Sequence, residues 1–334
     1  MSATAPARGA VAGGWDAAYR GVRVVVLGAA GFIGRWVARE LAIRNARVYA
    51  VVRDRQAAVR ILATCGTAAE LVELDVTDAD SLLAFMRAVR PAVSFNLIGY
   101  GVDPSERDVH AAYRVNARLV GTLCAAAAAA RDPGWRGQHV VHVGSALEYG
   151  KAAGSVAECA RPHPDTLYGR SKLAGTCILT RECQRLGLRG LTARLFTVYG
   201  PGEHPSRLLP SLMEAARSGQ PLRLTSGEQR RDFTFIQDAA IALLRLGVVS
   251  SVSGEIVNVA TGKLISVREF AETAAHCLGL PRHLLQFGAL PTRPEEMYHP
   301  EVPVERCRRL LGWVPSTTIR DGIRQTLACM RQLP

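Results

Sequence analysis

Hydrophobic residues follow two successive spacings near the start of the chain, and the change predicts a strand followed by a helix. Apart from Arg23, the run 22–27 is wholly aliphatic, which is typical of a strand buried on both faces. Glycines follow at Gly28, Gly31 and Gly34, and apolar residues then recur at helical spacing. The glycines allow a tight turn, close backbone approach to a diphosphate and close helix packing, so the stretch predicts a phosphate-binding turn.

Strands and helices continue to alternate as far as residue 143. Strands are predicted at 47–52, 70–76, 92–99 and 138–143, and helices at 78–89 and 108–130. Strands separated by helical segments pair in parallel. We therefore predict an α/β fold built on a doubly wound parallel (Rossmann) sheet.

The composition is that of a globular chain. Of its 334 residues, 48% are hydrophobic and 21% are charged. No apolar run approaches the ~18 residues that a membrane span needs, and the Ala- and Gly-rich start lacks the apolar core of a signal peptide. We expect a disordered tail over residues 1–20, no membrane partner and a cytoplasmic enzyme.

The basic excess is large but diffuse. The net charge is +12, and the basic residues are 38 arginines and 3 lysines without a dense block. This distribution favours a solvated surface and contacts to a diphosphate over nucleic acid binding. The eight cysteines show no CxxC spacing and the eight histidines no ligand-like cluster, so we predict reduced thiols and no metal site.

The residues after the second strand bear on the choice of cofactor. An acid at this place accepts hydrogen bonds from the adenosine ribose in NAD sites, whereas an arginine suits the 2′-phosphate of NADP. Arg53 directly follows the strand, and Asp54 comes next. A guanidinium can hold the phosphate by a bidentate contact, which favours NADP(H) over NAD(H). The alternative is a surface Arg53 with Asp54 turned to the ribose.

A tyrosine and a lysine stand four residues apart near the start of a further predicted helix. Tyr168 and Lys172 share one helical face, so the ammonium can stabilise the phenolate and lower a pKa that is about 10 when unperturbed. Such a tyrosine can donate a proton to a carbonyl oxygen. Ser145 follows the fifth predicted strand.

The chain resembles the extended short-chain dehydrogenase/reductase family in the order and spacing of its glycine turn, Ser145, Tyr168 and Lys172. Within that family it is most similar to the NAD-dependent epimerase/dehydratase group, whose members modify nucleotide sugars. The matching stretches are Leu74–Thr77, Val115–Thr122, Tyr168–Lys172, Arg194–Gly202, Arg231–Asp238, Asn258–Gly262 and Leu311–Pro315. The resemblance implies that Tyr168 exchanges a proton, Lys172 tunes it and holds the nicotinamide ribose, and Ser145 hydrogen-bonds the reacting oxygen.

The resemblance also implies which residues hold the ligands. Further cofactor contacts are expected at Gly28, Gly31, Phe32, Ile33, Gly34, Asp75, Val76, Leu97, Ile98 and Gly99. Contacts to a nucleotide-diphosphate sugar are expected at Tyr100, Ser145, Thr197, Arg207, Leu208, Arg231 and Arg293. Two of these arginines, Arg231 and Arg293, would clamp the diphosphate.

Two domains follow from the same resemblance. Residues 21–200, with 233–262 returning, are expected to form the dinucleotide-binding Rossmann domain. Residues 201–232 and 263–334 are expected to form a smaller α/β domain that binds the nucleotide sugar. Similar members pair two helices into a four-helix contact, and small residues on the corresponding helices here favour a homodimer.

Departures from the family's usual residues narrow the range of reactions that we expect of this site. The 4,6-dehydratases carry an Asp-Glu pair directly after the Ser/Thr, where this chain has Ala146 and Leu147, which cannot transfer protons. Glu148 comes one residue later, where a strand end would turn it elsewhere. Three further positions differ from many members: Asn96, Thr176 and Thr197.

The leading hypothesis is NADPH-dependent reduction, at C4, of a 4-keto-6-deoxyhexose linked to a nucleotide of the dTDP type, in deoxysugar biosynthesis. An epimerase regenerates its own cofactor and tends to hold NAD, whereas a net reduction draws on the NADPH that Arg53 would select. The first alternative is an NAD-dependent nucleotide-sugar 4-epimerase. A non-catalytic dinucleotide-binding sensor is the other, but a sensor has no need of Ser145, Tyr168 and Lys172.

Overall fold

The computed structural model describes residues 14–101, 105–150, 154–292 and 300–331, which form twelve strands and eleven α-helices. The strands are β1 (Arg23–Leu27), β2 (Arg47–Val52), β3 (Glu70–Glu73), β4 (Val93–Asn96), β5 (Val140–Ser145), β6 (Gly190–Leu195), β7 (Thr197–Tyr199), β8 (Leu222–Arg223), β9 (Arg230–Phe235), β10 (Glu255–Val259), β11 (Leu264–Ser266) and β12 (Leu285–Gln286). The helices are α1 (Phe32–Ile43), α2 (Arg55–Thr64), α3 (Ala79–Val89), α4 (Val109–Tyr113), α5 (Leu119–Ala130), α6 (Leu167–Leu186), α7 (Leu208–Ser218), α8 (Ile236–Val248), α9 (Val267–Leu278), α10 (Glu305–Leu311) and α11 (Ile319–Arg331). A π-helical turn, Arg114–Arg118, joins α4 to α5.

Seven strands form one parallel sheet in the order β10-β6-β5-β4-β1-β2-β3. In β1, Val24 and Val26 face one hydrophobic layer, while Val25 and Leu27 face the other. A strand buried on both faces needs no polar alternation, which explains the aliphatic run in the sequence. The chain order reverses between β1 and β4, so the carboxyl ends of these strands border a crevice where ligands bind in such sheets. The predicted doubly wound parallel sheet is confirmed.

Helices cover both faces of this sheet. On one face lie α1, α2 and α8, which bury residues such as Leu41, Leu62 and Leu243. On the other face lie α3, α5 and α6, with Leu82 and Leu179 among their buried residues. The helix that carries the predicted catalytic pair, α6, therefore packs tightly against this face of the sheet.

A smaller sheet follows in the order β11-β9-β7, with β9 antiparallel to β11 and parallel to β7. Its core is aromatic: the ring centroids of Phe233 and Phe270 lie 4.2 Å apart, and Tyr199 meets Phe270 edge-on at 5.2 Å. This cluster is continuous with the layer under α1 and α8. Although they come late in the chain, α8 and β10 pack on and within the seven-stranded sheet. The exact limits of the two domains stay a prediction.

The N-terminal segment corrects the sequence prediction. A disordered tail over residues 1–20 is wrong from Trp15 onward, because Trp15 and Tyr19 are buried in the core. The Tyr19 hydroxyl donates a hydrogen bond to the Leu244 carbonyl at 2.6 Å. The Trp15 ring lies between the guanidinium groups of Arg44 and Arg245, at 4.5 and 4.9 Å. Two aromatic residues thus dock a segment whose overall composition resembles a tail.

Several element ends also differ from the sequence prediction, since side chains compete for the backbone. The strand predicted to reach residue 76 ends at Glu73, and Asp75 beyond it accepts from the Thr77 amide. The next strand ends at Asn96, whose side chain accepts from the Ile98 amide at 3.3 Å. The helix predicted over 108–130 is interrupted by the π-helical turn. These ends all lie at the edge of the sheet that borders the crevice.

Candidate active site

The glycine turn between β1 and α1 has the shape that a diphosphate site requires. Gly28 has a φ of +79°, and a Cβ at Gly34 would overlap the Gly28 carbonyl oxygen. Gly31 is the N-cap of α1, and no side chain caps that end. The first-turn amides of Phe32 and Ile33 are therefore left for a ligand, at the positive end of the helix dipole. The turn fits the diphosphate of a dinucleotide.

Arg35 is a residue of this turn that the sequence analysis did not single out. Its guanidinium donates to the carbonyl of Gly31 at 3.2 Å and to that of Ala30 at 3.3 Å. It also lies against the loop around Gly202, where a Cβ would come within 2.7 Å of its Nη1 atom. The available signal was its place directly after the third glycine. Arg35 adds a positive charge between the glycine turn and the loop after β7.

At the end of β2, the side chains of Arg53 and Asp54 differ in their contacts. The Asp54 carboxylate accepts from the Ala57 amide at 2.9 Å and so caps α2. Arg53 is exposed, and within the described residues its side chain has no hydrogen-bonded partner. Its charge helps to lower the pKa of Asp75. Both side chains at this strand end are thus exposed, but one oxygen of the acid is occupied in the helix cap.

The next strand end brings a carboxylate and an apolar wall. Asp75 is exposed, and one of its oxygens accepts from the Thr77 amide at 2.9 Å and the Thr77 hydroxyl at 2.8 Å. These hydrogen bonds hold the pKa of Asp75 below its usual value. Val76 is buried in the layer that contains Leu82. Asp75 can therefore accept from an adenine amino group, whereas Val76 serves mainly as core.

The loop after β4 is held by Asn116, a residue to which the sequence analysis gave no role. The Asn116 amide accepts from the Tyr100 backbone N–H at 2.9 Å and donates to the Tyr100 carbonyl at 2.7 Å. It also donates to the Ser171 hydroxyl at 2.8 Å, and it lies in the π-helical turn. The only signal was an amide inside an apolar helix. Leu97, Ile98 and Gly99, which precede Tyr100, border the crevice.

Tyr100, a predicted substrate contact, has its hydroxyl engaged within the protein. That hydroxyl accepts from the Asp108 amide at 3.3 Å, at the N-terminus of α4. The loop tyrosine thereby ties the crevice loop to the following helix. Its backbone, which Asn116 fixes from both sides, remains at the crevice.

Ser145, Tyr168 and Lys172 come together at the carboxyl edge of the sheet. Ser145 is the last residue of β5, and Tyr168 stands in the first turn of α6, which Thr166 caps. The Ser145 hydroxyl lies near the Tyr168 hydroxyl and lowers its pKa. A Cβ at Gly99 would lie 3.8 Å from the Tyr168 hydroxyl, so this glycine leaves the tyrosine room at the crevice. The predicted catalytic residues are therefore neighbours in space.

Burial and neighbouring groups shift the pKa of Tyr168. Burial of the hydroxyl raises the pKa of Tyr168, and the charge of Glu148 raises it further, while Arg207 and the Ser145 hydroxyl lower it. The loss of hydration is the largest effect on this pKa, and a lowering by Lys172 stays a prediction. Tyr168 thus keeps its proton throughout the neutral pH range.

Lys172 is almost fully buried, with 1% of its surface exposed. Its Nζ donates to the carbonyl of Ile98 at 3.4 Å, in the strand end that precedes Gly99. Burial lowers the pKa of Lys172 to about 8, and the negative charge of Glu148 opposes that shift. The ammonium therefore lies between the crevice loop and a buried carboxylate.

That carboxylate, Glu148, points away from the crevice. It is fully buried, and its Oε2 accepts from the Nε atom of Arg194 at 2.9 Å. Ala146 and Leu147 precede it in the turn after β5. The absence of dehydratase chemistry stays a prediction.

On the opposite side of the crevice, the structure brings Arg207 towards Tyr168. Arg207 is the N-cap residue of α7, its charge acts on Tyr168, and its Nε pairs with Glu203 at 3.4 Å. The Glu203 side chain is only 6% exposed, and burial raises its pKa to about 7. Glu203 was not singled out from the sequence, since burial of an acid in a loop leaves no local signal.

The other predicted substrate residues lie around this side. Thr197 begins β7, Leu208 begins α7, and Arg231 lies on β9 paired with Ile265. All three are partly buried. Arg293 lies outside the described residues. Contacts of these side chains to a substrate stay predictions.

Across the described ranges, no group of three or more His, Cys, Asp or Glu residues is arranged to hold a metal ion. In the same part of the chain, no helix combines the length and apolar character that a membrane crossing requires. All eight cysteines are free thiols.

Comparison with known proteins places this site in a family. The sequence profile of the NAD dependent epimerase/dehydratase family matches residues 24–260. The dTDP-6-deoxy-L-talose 4-dehydrogenase (NAD(P)(+)) of Kitasatospora kifunensis is 28% identical over 324 residues, which cover 93% of this chain and 96% of that enzyme. The UDP-glucose 4-epimerase of Mycolicibacterium smegmatis is 29% identical over 319 residues, with 93% and 99% covered.

A solved structure agrees with these relatives. MoeE5 in complex with UDP-glucose and NAD superposes with a TM-score of 0.79 at 28% identity, covering 93% of this chain and 99% of that chain. The matched span contains the glycine turn, Ser145, Tyr168 and Lys172. The predicted fold and enzyme class are thus confirmed, and the chain belongs to the NAD dependent epimerase/dehydratase family, of the extended short-chain dehydrogenase/reductase type.

Proposed function

We propose that this enzyme reduces a dTDP-type, nucleotide-linked 4-keto-6-deoxyhexose at C4 with NADPH, as a step in deoxysugar biosynthesis. The observation that carries the proposal is the meeting of Ser145, Tyr168 and Lys172 beside Gly99, without an acid at the two positions after Ser145. Such a set can give a proton to a ketone oxygen, but it cannot move protons on neighbouring carbons. The related 4-dehydrogenase is named for chemistry at the same carbon.

NADPH is supported by the end of β2. The guanidinium of Arg53 is exposed there and suits a 2′-phosphate, while the Asp54 carboxylate is engaged as the cap of α2. The glycine turn, Asp75, the 97–99 segment and Lys172 would hold the rest of the dinucleotide. When bound, the cofactor supplies the hydride.

The chain's own residues orient the ketone and deliver the proton. The Ser145 hydroxyl can donate to the ketone oxygen, and Tyr168 holds the proton that this oxygen takes up. Lys172, with a pKa of about 8, is mostly charged at pH 7. Its ammonium offsets the negative charge that forms on Tyr168 as the proton leaves. Partial burial of the tyrosine restricts water at the reacting oxygen.

The diphosphate of the substrate would be bound by arginines. Arg207 lies near Tyr168, and Arg231 and Arg293 are the further positions that resemblance to the family suggests. Guanidinium groups bind phosphates by bidentate, charge-assisted hydrogen bonds. To take part, Arg207 must exchange its contact with Glu203 for one with the ligand.

A nucleotide-sugar 4-epimerase is the second candidate, supported by the similarity to the UDP-glucose 4-epimerase and to MoeE5 in complex with UDP-glucose and NAD. The same residues could oxidise and then reduce C4 with a retained cofactor. Purified enzyme should therefore be assayed with dTDP-4-keto-6-deoxyglucose and with UDP-glucose, with and without NADPH. Reduction requires one NADPH oxidised per product molecule. Turnover without added reductant would contradict the reductase and favour the epimerase.

A homodimer is part of the proposal. The α4 side chains Val109 and Tyr113, one helical turn apart, are 54% and 39% exposed. They adjoin the π-helical turn and α5, on the side where α5 packs against α6. Sedimentation should give twice the monomer mass, and Tyr113→Glu should shift the enzyme to monomers. A wild-type monomer at micromolar concentration would contradict this part of the proposal.

A further inference from the structure

A buried ion pair lies directly behind the proposed catalytic residues. Glu148 and Arg194 are 0% and 1% exposed, and the Arg194 guanidinium lies 4.5 Å from the ring centroid of Tyr149. Removing two charges from water costs about as much as their attraction returns, so such a pair adds little to stability. We therefore expect an ion pair at this place to have a role other than stabilising the fold.

The Glu148 carboxylate connects three elements of the site. Its Oε1 accepts from the backbone N–H of Ser145 at 2.8 Å. Its Oε2 accepts from the Thr176 hydroxyl on α6 at 2.9 Å and from Arg194 on β6 at 2.9 Å. The carboxylate thus ties the end of β5 to the helix that carries Tyr168 and Lys172.

The placement on α6 brings this charge close to the lysine. Thr176 stands four residues after Lys172, so the two side chains lie on one face of the helix, one turn apart. The charge of Lys172 acts on His142 on β5, and the charge of Glu148 acts on Lys172, while Glu148 is itself paired with Arg194 on β6. Burial lowers the pKa of His142 well below its usual value, so this ring is neutral. Glu148 is therefore the negative charge in this group at neutral pH.

We propose that Glu148 is a positioning residue of the reaction: it fixes Ser145 through the backbone N–H and, through Thr176, holds the face of α6 that carries Lys172, on which its charge acts. The inference rests on the proposed function for its catalytic meaning. Its structural half, the hydrogen bonds of Glu148 with the Ser145 amide and with Thr176 on α6, holds for any reaction of this site. The direction of the pKa effects on Lys172 and Tyr168 agrees with it.

The test uses the full-length Glu148→Gln variant, which removes the charge and keeps the shape. The chain has only three lysines, so the ¹³Cε signals of labelled Lys151, Lys172 and Lys263 can be assigned with Lys263→Arg and Lys151→Arg. We expect the Lys172 titration midpoint to fall by about one pH unit, since a nearby carboxylate favours the ammonium. Glu182→Gln removes an arginine-paired carboxylate elsewhere on α6 and is the matched control.

The kinetic readout separates positioning from mere folding. In Glu148→Gln, kcat should fall about 10-fold or more at pH 8 and less at pH 6.5, with KM for the sugar nucleotide little changed. An unchanged Lys172 midpoint together with an unchanged kcat profile would overturn the proposal. The lysine titration needs no sugar substrate. It therefore remains decisive if the enzyme proves to be an epimerase.

A second variant covers the case in which Glu148→Gln does not fold. Since the Thr176 hydroxyl already touches the carboxylate, Glu148→Ala combined with Thr176→Glu returns a negative charge opposite Arg194 from the helix. This double variant should restore the folded state and the Lys172 midpoint. It should not restore kcat fully, because the Ser145 amide loses its acceptor. Full recovery of kcat would show that Glu148 acts by charge alone and would overturn the positioning of Ser145.

Discussion

At the scale of single residues, the site depends on hydroxyl and ammonium groups that are partly removed from water. Burial raises the pKa of Tyr168 and lowers that of Lys172, so each group tends towards its neutral form. A tyrosine that keeps its proton can act as a donor in reduction. The charge of Glu148 raises the pKa of both groups, whereas that of Arg207 lowers the pKa of Tyr168.

Tyr168→Phe removes the proton donor and keeps the ring that packs beside Gly99 and Gly101. We expect kcat to fall by about 10²–10⁴-fold, which is the usual contribution of a positioned acid. NADPH binding, measured by fluorescence titration, should change little. Tyr49→Phe, on β2 where the Tyr49 ring meets Phe85, is the control. Undiminished turnover by Tyr168→Phe would refute the donor role.

Arg53→Ala tests the choice of cofactor. The variant should bind NADPH about 10–100-fold more weakly while its affinity for NADH stays the same, because only NADPH carries the 2′-phosphate. Isothermal titration with both cofactors measures the ratio. Arg55→Ala is a neighbouring control, since the Arg55 guanidinium is engaged by the Leu71 carbonyl at 2.7 Å. Equal losses for both cofactors in Arg53→Ala would contradict a phosphate contact.

At the scale of elements, the crevice is made by strand ends and helix starts that need particular residues. The turn between β1 and α1 closes only because two glycines approach each other, and the loop after β4 keeps its shape through Asn116. The interruption of the helix at the π-helical turn places that amide at the loop. Function therefore depends on local backbone packing as much as on catalytic side chains.

Gly34→Ala tests this packing. The added Cβ would overlap the Gly28 carbonyl, so we expect a loss of about 2–3 kcal/mol in unfolding free energy together with loss of dinucleotide binding. Urea unfolding and NADPH titration measure the two effects. Gly121→Ala is the control, because a Cβ in α5 meets Ile178 at an ordinary 3.4 Å. A Gly34→Ala enzyme that binds NADPH normally would show that the turn can relax.

At the scale of the whole molecule, the two parts share one hydrophobic core, so a buried charge near their junction affects the stability of the entire chain. Glu203 is such a charge: its side chain is 6% exposed in the loop after β7. Its pKa is raised to about 7 by burial, whereas in the unfolded chain it takes the ordinary value of 4.5. Its contribution to stability is therefore present below about pH 4.5 and is lost as the pH rises through 7.

Glu203→Gln should remove this loss of stability at high pH. Relative to the wild type, the variant should gain about 2 kcal/mol of unfolding free energy between pH 5 and pH 8, since Gln carries no charge to bury. Urea unfolding at several pH values measures the difference. Glu214→Gln is the control, because Glu214 is an exposed acid paired with Arg217. A difference that does not depend on pH would contradict a buried titrating Glu203.

By itself the sequence determined the parallel sheet and the glycine turn, and its motifs carried the resemblance to the family and the prediction of Ser145, Tyr168 and Lys172 as catalytic residues. The signals for these features are local sequence patterns: aliphatic runs, three glycines, and two side chains four residues apart on one helix. Spacing of this kind survives without any knowledge of distant contacts.

Only the tertiary structure decided how those residues are charged and what stands behind them. Burial raised the pKa of Tyr168, drew Trp15 and Tyr19 into the core, and joined Glu148 to Arg194 across 46 positions. Hydration and ion pairing depend on atoms that come from distant parts of the chain. Local patterns in the sequence therefore contain no signal for them.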